Sequence, residues 1–162
     1  MKKYDISALG EILIDFIPNG ADGDGDSIFI RKAGGAPFNY LATAAKAGLN
    51  TAFIGKVGDD IHGRFLLGTV ADAGVDSSGI ITDSEHNTTL AFVELDSKGD
   101  RDFSFYRTYG ADRFIKKDDI DPEMIKNSAV FHFGSLSLTD EPARNATAYA
   151  VNLARESGCI IT

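Results

Sequence analysis

Apolar positions along this chain switch repeatedly between a spacing of two and a spacing near 3.6, so strands and helices are expected in alternation. A strand is predicted over about 4–9, followed by a second extended stretch at 11–17. An acidic, Gly-rich turn at 20–26 leads to a short strand at 27–32. The run GGAPFN at 34–39 opens an Ala-rich helix that reaches about Lys46 and stops at Gly48. A strand at 51–57 precedes a helix over 61–73, where Ile61, Phe65, Leu66, Thr69, Val70 and Ala73 recur at helical spacing. Asp59 or Asp60 caps its first turn, and Gly74 ends it. Shorter extended segments are predicted at 79–82, 89–95 and 102–107, with the turn Ser97-Lys98-Gly99-Asp100 between the last two. Asp121-Pro122-Glu123 reads as a helix start, a cap followed by proline in the first turn. The apolar run at 130–133 reads as a parallel strand buried on both faces. A helix over 141–157 puts Ala143, Ala146, Ala150, Leu153 and Ala154 on one face and ends at Gly158. The final Cys159-Ile160-Ile161-Thr162 reads as the opening of another buried strand, so these residues are expected to be the front part of a longer protein. A complete short edge strand is the alternative.

Strands alternating with amphipathic helices predict an α/β fold, an open sheet with helices on both faces. The pieces at 11–17, 27–32, 89–95 and 102–107 break that alternation. Their polarity alternates, which suits a small, half-exposed antiparallel sheet inserted as a cover over a site.

Composition narrows the function. Of 162 residues, 43% are hydrophobic and 25% charged, an ordinary globular balance. A net charge of −8 opposes binding to a phosphate backbone, so no nucleic-acid partner is expected. A single cysteine, Cys159, excludes an internal disulfide framework. No stretch approaches the roughly 18 apolar residues of a membrane span. Asp5, Glu11 and Asp15 interrupt any apolar run behind the N-terminal lysines. The expectation is a soluble cytoplasmic protein with no membrane partner.

Three places break a local rule. On the stretch 11–17, Asp15 shares a face with Leu13 and Ile17, where a carboxylate needs a partner. A substrate hydroxyl would serve, and an exposed edge-strand acid is the alternative. Arg107 extends the face of Phe103 and Phe105, either as a fork for an anionic or hydroxylated ligand or as a cation–π arginine. In the loop 34–39, Gly34 and Gly35 let backbone approach a ligand, the helix start supplies free N–H groups, and Asn39 offers a donor and an acceptor. The alternative is a tight turn with Asn39 on the surface. Asp22-Gly23-Asp24-Gly25-Asp26 resembles half a calcium loop, but Ser27 and Ala33 stand where its glycine and glutamate belong, so no metal site is expected. No P-loop and no GxGxxG occur. His132, in a buried-strand pattern, reads as a core histidine.

The stretch AGGAPFNYLATAAKAGLNTAFIGKVGDDIHG at 33–63 resembles the N-terminal signature of the ribokinase-like carbohydrate kinases, the pfkB family. GEILIDFIP at 10–18, GKVGDDIHGRFL at 55–66, TTLAFVELDSKGDRDFSFYRTYGAD at 88–112 and FHFGSLSL at 131–138 are most similar to the fructokinases within it. One departure is Leu41, beside Tyr40, where the family usually has a small residue, so the helix is expected slightly further from its neighbours. The resemblance implies a ribokinase-like three-layer sandwich, of which 1–162 is the N-terminal part, with a lid built from about 11–32 and 88–108. It implies ATP-dependent phosphorylation of a sugar with Mg²⁺, most simply fructose to fructose 6-phosphate. Asp15, Gly34, Gly35 and Asn39 would hold sugar hydroxyls, with Phe105 and Arg107 added from the lid. The family's catalytic base is an Asp in a Gly-Ala-Gly-Asp turn. No such turn occurs here, so no catalytic residue is assigned, and the base and ATP pocket are expected beyond Thr162. Residues 1–162 alone are expected to be inactive. Homodimerisation through the lid is a further expectation. The alternatives are a kinase for 2-keto-3-deoxygluconate, ribose or a nucleoside, or a sugar-binding module without chemistry.

Overall fold

The computed structural model describes residues 2–95 and 101–162, and the predicted turn at 97–100 lies outside them. In chain order the elements are β1 (Tyr4–Leu9), β2 (Leu13–Ala21), β3 (Ser27–Gly34), α1 (Ala36–Lys46), β4 (Thr51–Gly58), α2 (Ile61–Asp72), β5 (Asp76–Asp83), β6 (Leu90–Leu95) and β7 (Arg101–Tyr106). They continue with α3 (Pro122–Lys126), β8 (Ser128–Phe133), α4 (Ala143–Glu156) and β9 (Ile160–Ile161), with 3-10 turns at Ala111–Phe114, Lys117–Asp119 and Ser135–Leu138.

Five strands form a parallel sheet in the order β5-β4-β1-β8-β9. Every residue of β4 is buried, as expected for a strand with neighbours on both sides and helices on both faces. One core packs Leu9, Ile54 and Phe131 of this sheet against α3 and α4, where Ala143, Ala146, Ala150 and Ala154 let the helix approach closely. The other packs Ile6, Ala8 and Phe53 against Phe38 and Leu41 of α1 and Leu66 and Val70 of α2. Leu41 is fully buried there, so its extra volume is absorbed in the core. The predicted strand at 130–133 is less enclosed than its apolar run suggests. Phe131 is buried, whereas Val130, His132 and Phe133 are half-buried because β9 pairs with β8 only at Val130 and Phe131.

The four extended pieces that broke the alternation form a second sheet, ordered β3-β2-β6-β7. It is mixed, which corrects the antiparallel expectation. β2 pairs antiparallel with β3, and β6 with β7, but β2 and β6 run parallel. The chain leaves this sheet after β3 and returns at β6 only after α1, β4, α2 and β5, a long crossover of the kind a parallel pair requires.

Candidate functional site

Paired residues in a ladder point to the same face, so the register defines what each side of the second sheet carries. Asp15 pairs with Lys32 on β3 and with Ala91 on β6, and Ala91 pairs with Phe105 on β7. Lys32, Asp15, Ala91 and Phe105 therefore form one row on one face, with Asp15 and Phe105 roughly 10 Å apart across the small Ala91. The neighbouring pairs on that face are Ile17 with Ile30 and Val93 with Phe103, so it is polar near the body and apolar towards the tip. The opposite face rests on α2. There the Arg31 guanidinium lies 4.1 Å from the Phe65 ring centre, and the Phe16 ring packs edge-on to His62 at 5.7 Å. The Asp15 face is thus the one turned away from α2.

The loop between β3 and α1 meets this row directly. A Cβ built on Gly34 would lie 2.7 Å from Asp15 Cγ and 3.0 Å from Oδ1, so the missing side chain is what makes room for the carboxylate. Gly35 has φ +105° and precedes α1 with no side-chain cap of its own. Asn39 stands exposed in the first turn, its backbone N–H donating to the Gly35 carbonyl at 3.0 Å.

The missing cap comes from Glu11, which sequence reading treated only as a break in an apolar run. It is buried, and its Oε1 accepts from the Ala36 backbone N–H at 3.2 Å. Oε2 is buried without a hydrogen-bond partner among the described residues. Burial pushes this carboxyl above its ordinary value, Asp112 adds to the shift, and Arg107 and the backbone donors oppose it. Its only sequence signal is a carboxylate set between Gly10 and Ile12 where β1 ends.

Arg107 lies just past the end of β7 at Tyr106. Its Nε donates to Asp112 Oδ2 at 2.7 Å, Nη2 to the Leu136 carbonyl at 3.1 Å, and Nη1 to Thr139 Oγ1 at 3.2 Å. The Asp112 side chain is 2% exposed and Arg107's 12%, so this is a buried ion pair and not a surface cation. Thr89, at the root of β6, also donates to Asp112 through its hydroxyl. Nothing in the sequence marks Asp112, because its partners are set by the fold. A cavity of about 350 Å³ opens beside this pair, lined by Phe105, Arg107, Thr108, Arg113, Leu136 and Asp140.

Asp60 caps α2 as predicted, accepting from the backbone of His62 at 2.9 Å and Gly63 at 2.7 Å. It also accepts from Thr88 N–H at 2.8 Å and Thr88 Oγ1 at 2.9 Å, fixing the start of β6 to α2. Burial works against its charge, but these donors outweigh it and hold the carboxyl below its ordinary value. His132 is half-buried, with Nδ1 3.0 Å from Thr162 Oγ1 and its ring tilted against Tyr40. In the turn 20–26, Asp22 Oδ1 accepts from the backbone N–H of Asp24 and of Asp26, both at 2.9 Å.

Of the residues singled out in the sequence, Asp15 and Gly34 are in contact, Gly35 and Asn39 continue the same loop, and Phe105 shares the Asp15 row. Arg107 joins Phe105 in the cavity wall. The Asp15 row and the cavity thus meet at Phe105.

The chain matches the family described as pfkB family carbohydrate kinase over residues 3–161. Fructokinase-1 of Zea mays is 42% identical over 162 residues, an alignment covering 97% of this chain and 49% of that protein. Probable fructokinase-3 of Arabidopsis thaliana is 41% identical over 159 residues, covering 97% of this chain and 46% of that protein. A crystal structure of fructokinase from Xylella fastidiosa superposes with a TM-score of 0.91 at 34% identity, covering 98% of this chain and 49% of that one. The same bacterium's fructokinase with bound ATP gives a TM-score of 0.89 at 34% identity, covering 98% and 48%. The chain spans about half the length of the curated relatives it matches.

Proposed function

We propose, since this chain belongs to the pfkB family of carbohydrate kinases, that it supplies the sugar-holding part of a kinase converting fructose to fructose 6-phosphate. The observation that carries this is the row Lys32, Asp15, Ala91 and Phe105, two charged residues continued by two apolar ones, with Gly34 cut back to the backbone against the Asp15 carboxylate. Asp15 accepts hydrogen bonds from sugar hydroxyls, each worth about 1.5–3 kcal/mol for a charged acceptor. Gly34 and Gly35 bring backbone close, Asn39 adds its carboxamide, and Phe105 and Arg107 border the sugar from the second sheet. That sheet acts as a lid, excluding water so that phosphate passes to the sugar and not to solvent. We place the protein in the cytoplasm. Among the described residues no helix is long and apolar enough to cross a membrane.

ATP is the proposed phosphoryl donor, supported by the ATP-bound fructokinase relative, and Mg²⁺ its proposed companion. The residues here do not suit either: no three His, Cys, Asp or Glu side chains cluster as metal ligands among the described residues, and the sequence lacks the Gly-Ala-Gly-Asp turn. No transfer step is therefore assigned to this chain, and the base and ATP pocket are proposed to correspond to the part of the relatives' length that this chain does not span. We also propose that a second copy covers the apolar tip of the lid, where Ile28, Phe29, Ile30 and Phe103 are exposed. A strict monomer by sedimentation at micromolar concentration argues against this.

Asp15→Ala in the full-length protein is expected to lower kcat/KM for fructose at least about tenfold, the size of one charged hydrogen bond, with the ATP KM unchanged. ADP release under a fructose titration measures it, and unchanged sugar kinetics remove Asp15 from the site. Residues 1–162 alone are expected to release no fructose-dependent ADP.

A further inference from the structure

The cavity beside Phe105 holds two guanidiniums, and each has its own carboxylate. Arg107 is paired with buried Asp112 and is further engaged by the Leu136 carbonyl and Thr139. Arg113 Nη2 lies 3.0 Å from Asp140 Oδ1, and its Nε is buried with no hydrogen-bond partner among the described residues. The Asp140 side chain is 42% exposed, and hydrogen bonds from Thr139 and then Arg113 hold its carboxyl below the ordinary value, so it is ionised at neutral pH. Two cations meet two anions. Glu11 is not among the residues that line the cavity.

A neutral cavity of this kind favours a neutral ligand. An acidic sugar brings one negative charge that must be stripped of water, and among the described residues each cation lining the cavity already has a carboxylate partner. An uncharged polyol faces no such cost. Its hydroxyls can donate to the remaining lone pairs of Asp140 and accept from Arg113, while its C–H face lies on Phe105. We infer, on the basis of the sugar-site function proposed above, that the Arg113–Asp140 pair is the specificity determinant that selects uncharged sugars over acidic ones.

The test compares fructose with 2-keto-3-deoxygluconate as a competitor of fructose phosphorylation, using the full-length protein. Asp140→Asn leaves Arg113 unbalanced. The inhibition constant of the acidic sugar is expected to fall at least about tenfold while fructose KM rises. Arg113→Gln leaves Asp140 unbalanced and is expected to raise that constant. Opposite shifts in the two variants support the inference, since loss of packing alone moves both the same way. Constants within twofold of the parent in folded variants, or shifts of one sign, overturn it. If Asp140→Asn does not fold, Arg113→Gln decides by a ratio: the inhibition constant of the acidic sugar rises at least about threefold more than the fructose KM under the inference, and the two rise together if only packing is lost. Failure of the sugar site itself is seen separately, as a parent enzyme that does not use fructose or an Asp15→Ala variant that uses it normally.

Discussion

Arg107→Ala in the full-length protein is expected to cost about 3–5 kcal/mol of folding stability, because it strands a buried carboxylate. Asp112 is 2% exposed in its side chain, so the lost guanidinium leaves its charge with little solvation. The Thr89 hydroxyl remains to Asp112 but carries no charge to balance it. The same change cuts the tie from the end of β7 to Leu136 and Thr139, so Phe105 loses its fixed distance from the body. Fructose kcat/KM is expected to fall at least tenfold, the value of a charged hydrogen bond. The double change Arg107→Met with Asp112→Leu separates the two effects. Removing both charges together is expected to restore most of the stability, since a buried pair often contributes little net, but not the activity. Urea unfolding and ADP release measure both. A single variant within about 1 kcal/mol of the parent would show that Asp112 finds another partner, and would withdraw the pair from the lid's attachment.

Asp15 and the Gly34-Gly35 loop were legible in the sequence because their signals are local. A carboxylate at an apolar strand position and paired glycines before a helix each violate a rule that can be checked within a few residues. The alternation of the central sheet was legible for the same reason. The mixed character of the second sheet was not, because β2 and β6 lie on either side of two helices and three strands and nothing in either strand states the direction of its partner. Glu11 and Asp140 were missed on the same ground. Glu11 finds its donor at Ala36, and Asp140 its partner at Arg113, each more than twenty residues away. Arg107 shows the intermediate case. Its chemistry was visible and its partner was not, so a ligand fork and a cation–π arginine both stayed open, and the fold supplies a buried ion pair. Legibility thus tracked whether a residue breaks a rule inside its own segment: Arg107 and Asp112 stand only five residues apart, yet the turn that brings them together is not written in either one.

The two adjacent glycines carry this distinction into an experiment, since alanine is expected to fail at each for a different reason. At Gly34 the three atoms nearest a new Cβ all belong to the Asp15 carboxylate, Oδ2 first, then Cγ at 2.7 Å and Oδ1 at 3.0 Å. That side chain can rotate away at about 0.5–1.5 kcal/mol, so folding is little affected while the sugar acceptor is displaced. Gly34→Ala is expected to raise fructose KM about tenfold with the melting temperature nearly unchanged. At Gly35 the new Cβ meets backbone, the Glu11 carbonyl group and Ile12 Cα at 3.1 Å, and the φ of +105° is one that alanine rarely adopts. Neither can be relieved by a side-chain rotation. Backbone strain of about 1–3 kcal/mol adds to a packing clash of similar size, so Gly35→Ala is expected to lose about 2–5 kcal/mol of stability. It also pulls the start of α1 away from Glu11, the only side chain among the described residues that caps it. Thermal melts with fructose kinetics on both variants decide the matter. A Gly34→Ala enzyme with parental fructose KM would mean that Asp15 does not touch the sugar. A Gly35→Ala protein that melts like the parent would mean that the loop relaxes, and that its tight approach to Glu11 is not what holds the site open.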